Sequence, residues 1–324
     1  MKISQYLNPI FVVLFATITL ILPTAANARQ AVTIFLGADA TYLPFVIAEN
    51  KNFYKSEGLD VSQRLFVTGT ETIQSFKSLK ANFLASSTYA ALPLLQGDNS
   101  SVIAIANFYS SPDNQKVIVK SSIKSPADLK GKTIGTRKGT SAEYFLHTYL
   151  KKNNIDLSSV KIVDLTPPES VAALVKGDID AFVFWEPTPT IALKALGDKG
   201  AVLSTARGYY VERISLAADK AFASSSPETV EKVLRAIKKA TDFINSYPDE
   251  AISIGARVFR TDPSVIKVLV DQKPYTLAWD KAAADEYYQL ALFSVELGRI
   301  KTAKPTSEIF DTRYLQKVAP AVIR

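Results

Sequence analysis

A glycine and two hydroxyl residues at the start of a predicted helix form the strongest candidate for binding chemistry. Gly139 permits a tight turn, and Thr140 and Ser141 supply hydroxyl groups. The first N–H groups of a helix lack partners within it, and the helix dipole is positive at this end, so the turn can bind an anion. The same residues also fit an ordinary cap, because Glu143 follows Thr140 by three residues as in a capping box.

Hydroxyl, aromatic and acidic residues after three predicted strands form a second group of candidates. Ser87 and Thr88 either face a cleft with their hydroxyl groups or cap the following helix. Tyr42 offers a phenol and a flat wall after the first strand, or it fills the core. Trp185 ends a later strand and either offers a stacking face to a ligand or fills the core. Glu186 beside it offers an acceptor for a ligand amine or hydroxyl.

The sequence lacks the residue clusters of common enzyme and metal sites. It contains no cysteine and one histidine, His147, which lies mid-helix and which we expect to be solvated. Neither a G-x-S-x-G elbow nor a phosphate-binding loop is present. Arg137 and Arg213 could neutralise an acidic ligand, although we expect surface positions for both. We therefore predict a binding protein and not an enzyme, without metal or cofactor.

The first 28 residues have the pattern of a cleavable export signal. Lys2 precedes the uncharged run Ile10–Leu22, and Ala26-Asn27-Ala28 is a small-x-small cleavage pattern. The alternative, a membrane anchor, needs about 20 apolar residues, which is more than this run contains. With no cysteine for lipid attachment, we expect a mature protein that starts at Arg29 and is free in a periplasm.

The formal net charge of +7 leaves an anionic ligand open. The basic residues are scattered and are not interleaved with aromatic residues in the manner of a nucleic-acid site. We therefore interpret the charge as a solvated surface and predict no nucleic-acid partner.

Strands alternate with helices from residue 31 onward, which predicts an α/β protein with parallel-rich sheets flanked by helices. A second α/β series begins at Ser125-Pro126, and the chain after Gly208 is largely helical. The patterns predict one helix over residues 43–57 and another over Pro248–Phe259, and they predict no strand between Trp185 and Val211. A helix from Ser226-Pro227 to about Tyr247 is predicted to carry an apolar face of Val230, Val233, Leu234, Ile237, Thr241 and Ile244. We expect two lobes, formed by residues 29–116 and 117–217, with residues 218–324 returning to the first. Two hinge crossings are expected near Lys116–Lys120 and Val211–Ala217, with a ligand held between the lobes.

Five segments with distinctive motifs are spread over most of the mature chain. They are Phe53–Val61 (FYKSEGLDV), Lys124–Gly135 (KSPADLKGKTIG), Gly139–Ser141, Leu174–Pro187 (LVKGDIDAFVFWEP) and Ile309–Leu315 (IFDTRYL). In this order, the segments resemble those of the sulfonate, nitrate and taurine-type periplasmic substrate-binding proteins, a family that also includes binders of thiamine-pyrimidine precursors.

The resemblance implies the type II periplasmic-binding fold and a monomer that captures a small molecule by hinge closure. It also implies delivery to an ABC permease in the inner membrane, and it favours Ser87 and Thr88 as ligand contacts. Sulfonate binders of the family often carry His where this chain has Glu143. This departure favours a zwitterionic, amine-bearing or neutral heterocyclic solute over a simple sulfonate.

Two other functions are compatible with parts of this pattern. A ligand-sensing receptor that is not coupled to transport would need the same closing lobes. A pyrimidine-synthase-like enzyme would share the fold, but such enzymes use His and Cys chemistry that this composition does not supply.

Overall fold

The computed structural model describes residues 29–67 and 69–322 of the 324-residue chain. The predicted export signal over residues 1–28 lies outside the described residues. Within the described ranges, no helix combines the length and the apolar character that crossing a membrane requires.

Eleven strands in the described part of the chain form two mixed sheets. The first sheet has the order β11-β4-β10-β3-β1-β2, and the second has the order β7-β6-β8-β5-β9. The strands are β1 (Gln30–Gly37), β2 (Leu59–Phe66), β3 (Phe83–Ser87), β4 (Val102–Ser111), β5 (Gln115–Lys120), β6 (Thr133–Thr136), β7 (Lys161–Asp164), β8 (Ala181–Trp185), β9 (Gly200–Thr205), β10 (Glu212–Asp219) and β11 (Tyr275–Ala278).

Strands β1, β2 and β3 pair in parallel, as do β6, β7 and β8, whereas β10 and β5 run antiparallel to their neighbours. Ile34, Phe35 and Leu36 of β1 are fully buried in succession. A continuous apolar run of this kind is typical of a strand covered on both faces by helices. The predicted α/β class with helix-flanked, parallel-rich sheets is therefore confirmed.

Fourteen α-helices in the described ranges cover the sheets. They are α1 (Leu43–Asn50), α2 (Phe53–Ser56), α3 (Gly69–Leu79), α4 (Thr88–Leu95), α5 (Ser141–Lys152), α6 (Pro167–Lys176), α7 (Thr188–Leu196), α8 (Lys220–Ser225), α9 (Pro227–Ser246), α10 (Pro248–Phe259), α11 (Pro263–Val270), α12 (Lys281–Glu296), α13 (Thr306–Ile309) and α14 (Arg313–Val318).

The chain passes between the sheets twice. Residues 112–114 connect β4 of the first sheet to β5 of the second, and residues 206–211 connect β9 of the second sheet to β10 of the first. Both passages lie a few residues before the crossing strands predicted at Lys116–Lys120 and Val211–Ala217. The difference has a physical reason, because an apolar run reveals a strand but not the sheet that the strand joins.

The C-terminal segment packs on the first sheet. β11 pairs with β4 at the edge of that sheet, and α9 packs against α1, α2 and β11. The buried face of α9 includes the predicted apolar positions Val230, Val233, Leu234, Ile237, Thr241 and Ile244. The first sheet and its helices are thus built from chain segments on both sides of the second sheet.

Candidate functional site

A small polar cavity lies between the two sheets, beside the carboxyl ends of several strands. Its volume is about 30 Å³, so the two halves of the molecule nearly meet across it. Gly37, Ser87 and Trp185 on its wall are the last residues of β1, β3 and β8. Ligands of open α/β sheets bind at such strand ends, so this cavity is the candidate site.

Five of the side chains predicted from the sequence line this cavity: Tyr42, Ser87, Thr140, Ser141 and Trp185. The first two belong to the first sheet and its connections, and the other three to the second. Burial, together with two nearby carboxylates, holds the pKa of the Tyr42 phenol well above its ordinary value. The phenol therefore stays protonated at neutral pH and is available as a hydrogen-bond donor.

The other three predicted residues, Thr88, Gly139 and Glu186, stand behind the wall with partners inside the protein. The hydroxyl of Thr88 donates to the carbonyl oxygen of Arg213 at 3.0 Å. Gly139 adopts the left-handed conformation, with φ of 78°, that the predicted turn needs.

Glu186 differs in direction from Trp185, although the two residues are adjacent. Its side chain is fully buried, forms an ion pair with Lys116 and accepts a hydrogen bond from the Thr190 N–H at 3.2 Å. Successive side chains of an extended segment point to opposite sides, so Trp185 faces the cavity while Glu186 faces inward.

The cap at the start of α5 differs from the predicted capping box. The carboxylate of Glu143 accepts a hydrogen bond from the Gly139 N–H at 2.8 Å, and the guanidinium of Arg299 lies 2.6 Å from it. Thr140 donates its hydroxyl to the carbonyl oxygen of Arg137 at 2.7 Å. Glu143 is therefore neutralised within the protein and is not on the cavity wall.

Two acidic residues that sequence reasoning did not select, Asp39 and Glu212, line the cavity. Asp39 follows β1 and accepts a hydrogen bond from the Thr41 N–H at 2.8 Å, so it caps the short turn that carries Tyr42. Burial raises the pKa of Asp39 to about 6, although hydrogen bonds from Thr41 and from the side chain of Trp185 lower it. The available sequence signal was an acidic residue two positions after the end of the first strand.

Glu212 is the first residue of β10, and only 2% of its surface is exposed. The Ser87 hydroxyl donates to its carboxylate at 2.8 Å, and the side-chain amide of Gln115 also donates to it. Burial raises the pKa of Glu212, the hydroxyl of Ser141 and its other donors lower it, and the charge of Asp39 raises it further. The Glu212 carboxylate thus joins groups from both sheets.

Asn114 lies on the cavity wall within the first passage between the sheets. It is 1% exposed, and neither its amide nitrogen nor its amide oxygen has a hydrogen-bond partner among the described residues. Buried polar groups without partners are rare in folded proteins. The amide nitrogen of Asn114 is therefore available as a donor, and its amide oxygen is available as an acceptor, for a ligand in the cavity.

The arginines considered as partners for an acidic ligand lie elsewhere. Arg137 pairs with Asp164 at 3.5 Å near the surface. The surface position predicted for Arg213 is wrong, because its side chain is 13% exposed and forms an ion pair with Glu286 of α12. The ion pair exists because α12 lies against β10, and the sequence does not show which helix packs on which strand.

The histidine is likewise less exposed than predicted. The ring of His147 packs against that of Phe293 with centroids 5.3 Å apart, and burial lowers its pKa. It is not among the residues that line the cavity. In the described ranges, no group of three or more His, Cys, Asp or Glu side chains is arranged to hold a metal ion.

A polar cavity between two α/β lobes that are joined by two chain passages defines a two-lobed binding-protein architecture. The chain belongs to the NMT1/THI5-like family, whose model matches residues 39–251. The family resemblance carried by the sequence motifs is thereby confirmed.

Two relatives illustrate the range of similarity. A putative binding protein of Brucella abortus is 28% identical over 234 residues, which cover 67% of each chain. The taurine-binding periplasmic protein of Escherichia coli is 30% identical over 182 residues, which cover 55% of each chain.

Two solved structures share the fold. The periplasmic aliphatic sulphonate binding protein SsuA of Escherichia coli aligns with a TM-score of 0.77 at 19% identity, over 88% of this chain and 92% of that one. The desulfurization enzyme DSZB aligns with a TM-score of 0.71 at 13% identity, over 90% of this chain and 99% of that one. The same fold therefore serves binding in one protein and catalysis in another.

Proposed function

We propose that this protein is the periplasmic solute-binding component of an ABC-type importer. It captures a small organic solute between its lobes and presents the closed form to a permease in the inner membrane. The observation that carries the proposal is the buried polar cavity whose wall is shared by both sheets. The names of the taurine-binding and sulphonate-binding proteins support the same assignment.

Hinge closure is the proposed mechanism of capture. In this proposal, the first lobe consists of residues 29–67, 69–111 and 212–322, the second of residues 115–205, and the passages at 112–114 and 206–211 act as hinges. A ligand that touches both lobes stabilises the closed form by the difference in its affinity for the two forms. Ser87 on one side and Thr140 on the other are suited to this, since both line the cavity. Each hydroxyl group donates within the protein, to Glu212 and to the Arg137 carbonyl oxygen, so its oxygen is left to accept a hydrogen bond from the solute.

Tyr42, Ser87, Thr140, Ser141 and Trp185 are the proposed ligand contacts, together with Asp39, Asn114 and Glu212. Three other residues have a supporting role in this proposal, because their hydrogen bonds fix the backbone next to the cavity wall. Thr88 does so after β3, Gly139 before α5 and Glu186 after β8.

The proposed location rests on the N-terminal sequence. A signal over residues 1–28 would be cleaved on export, and the printed sequence contains no cysteine that could carry a lipid. We propose a monomer that is free in the periplasm and that binds no nucleic acid.

Two alternatives make different predictions. A sensing receptor would bind and close in the same way, but deletion of its gene would leave solute uptake unchanged. A pyrimidine-synthase-like enzyme is the second alternative, and the desulfurization enzyme is an example of an enzyme with this fold. Such an enzyme would need reactive side chains at the cavity. The chain has no cysteine, and the cavity wall contains no histidine.

Binding of a solute panel to the mature protein tests the proposal. Thermal shift and calorimetry are run with taurine, ethanesulfonate, nitrate, 4-aminopyrimidine and benzoate, and small-angle scattering records closure for each solute that binds. Trp185→Ala and Thr140→Ala should each weaken binding at least tenfold. Tyr247→Ala, at a side chain that is 59% exposed on the first lobe, serves as the control. Unchanged affinity in both cavity variants would refute the site.

A further inference from the structure

We propose that the captured solute presents a protonated nitrogen, as an ammonium or amidinium group, to the carboxylates of Asp39 and Glu212. This inference rests on the proposed function and specifies the chemical class of the solute. It makes the site one for cations or zwitterions and excludes simple anions.

The first argument is the charge of the cavity wall. It contains two carboxylates and no Lys, Arg or His side chain. Neither carboxylate forms an ion pair among the described residues, since Asp39 is bonded by Thr41 and Trp185, and Glu212 by neutral hydroxyl and amide groups. The two acidic groups line the same cavity, and the charge of Asp39 raises the pKa of Glu212, so a cation between them would be favoured.

Four basic side chains that pair within the protein are bound to acids other than Asp39 and Glu212. The pairs are Lys116–Glu186, Arg137–Asp164, Arg213–Glu286 and Arg299–Glu143. The molecule therefore keeps its own positive charges off this wall.

The second argument concerns the place where an anion would bind. The start of α5, with Thr140 and Ser141, was the candidate anion site in the sequence. In the structure, the side-chain amide of Gln115 donates to the Ser141 hydroxyl at 2.7 Å and also to the carboxylate of Glu212, so this carboxylate lies next to the helix end. Glu212 thus brings a negative charge to this helix end, and an anionic solute placed there would be repelled.

The unpaired amide of Asn114 is an independent observation that points to a ligand in this cavity. Its buried amide has no partner and lies on the same wall. The amide oxygen can accept from an ammonium group, and the amide nitrogen can donate to an acceptor elsewhere on the solute. The rings of Tyr42 and Trp185 on the wall can add attraction for a cation above their faces.

Matched pairs of solutes that differ by one amine test the inference. Calorimetry compares taurine with ethanesulfonate, and 4-aminopyrimidine with pyrimidine, on the mature wild-type protein. The amine-bearing member of a pair that binds should bind at least tenfold more tightly than its counterpart. Asp39→Asn and Glu212→Gln keep the shape of each side chain, and each should weaken binding of the amine at least tenfold, while circular dichroism verifies folding.

The possible failures are distinguishable. Binding and closure with ethanesulfonate, nitrate or benzoate at an affinity within threefold of any amine would overturn the cation inference and leave the receptor function standing. Equal affinity of the wild type and both carboxylate variants for the amine would overturn it as well. If no solute in the combined panel binds or closes the protein, both the function and the inference are refuted.

Discussion

The guanidinium of Arg299 lies 2.6 Å from the carboxylate of Glu143, and this ion pair joins the segment after α12 to the start of α5. The same guanidinium also donates to the hydroxyl of Tyr89 on α4. Glu143 is 7% exposed, so its charge depends on Arg299 and on the Gly139 N–H for compensation. One arginine therefore ties the two lobes together close to the cavity.

Replacement of this arginine should destabilise the protein. In Arg299→Ala, the buried Glu143 carboxylate loses its charged partner, and we expect the free energy of unfolding to fall by about 2 kcal/mol. Urea denaturation measures the change. Lys281→Ala is the matched control, because it breaks a pair whose side chains are 83% and 65% exposed, and such a pair contributes little. Equal losses in the two variants would contradict the structural role of Arg299.

The carboxyl group of Asp39 should make stability depend on pH. Burial raises its pKa from 3.8 to about 6, so folding favours the protonated form. The ligand-free protein should lose this contribution as the pH rises from about 4 to about 6. Asp39→Asn should therefore be more stable than wild type at pH 7 and equal to it near pH 4, as measured by urea titrations. Parallel pH profiles of the two proteins would refute the assignment.

Affinity for an amine should change with pH in the opposite direction to this stability. A cation binds the ionised carboxylate, so wild-type affinity for taurine or another amine that binds should increase between pH 5 and pH 7. Burial also raises the pKa of Glu212, which adds to the effect. Calorimetry at fixed ionic strength measures it, and an affinity that falls over this range would contradict the role of the carboxylates.

Removal of the Asn114 side chain should separate binding from stability. Its amide makes no hydrogen bond in the ligand-free protein, so Asn114→Ala should leave the free energy of unfolding within about 0.5 kcal/mol of wild type or raise it. Ligand affinity should fall about tenfold. Asn245→Ala is the matched control, because Asn245 donates to the Tyr275 carbonyl oxygen at 3.3 Å, away from the cavity. It should lower stability and preserve affinity, and the reverse pattern would be decisive against the site.

A methyl group at Gly37 should disturb the cavity wall. A Cβ atom there would lie 2.2 Å from Cε2 of Tyr42, so the phenol ring would have to move. We expect Gly37→Ala to weaken ligand binding at least tenfold and to lower the melting temperature by several degrees. At Gly97 the nearest atom would lie 3.4 Å away, so Gly97→Ala should change neither property. Normal binding in Gly37→Ala would show that the position of Tyr42 is unimportant.

Local sequence signals predicted the regular elements well where the signals were strong. Helix α10 occupies the predicted range Pro248–Phe259, and α9 shows the predicted apolar face. One predicted helix over residues 43–57 is instead two, because Asn52 adopts a left-handed conformation with φ of 56° between α1 and α2. Strand β9 was missed, since this edge strand is partly exposed along its length and lacks a clear alternation.

The site was harder to predict because its chemistry depends on tertiary contacts. Trp185 and Tyr42 stand at strand ends, which a sequence marks. Glu212 reaches the cavity from the strand that begins after the second passage, and no local pattern distinguishes it from a surface acid. Glu143 was interpreted as a charge facing the ligand, whereas Arg299, more than 150 residues later, removes that charge from the cavity.

The position of β10 constrains the order in which this protein can fold during synthesis. β10 lies between β3 and β4 and pairs with both. The facing edges of β3 and β4 therefore have no hydrogen-bonding strand until residues 212–219 have been synthesised. A chain that emerges N-terminus first can complete the second sheet, residues 115–205, while two strand edges of the first remain open. Open edges invite pairing with other chains. The nascent protein is therefore most exposed to aggregation before its last third has been made.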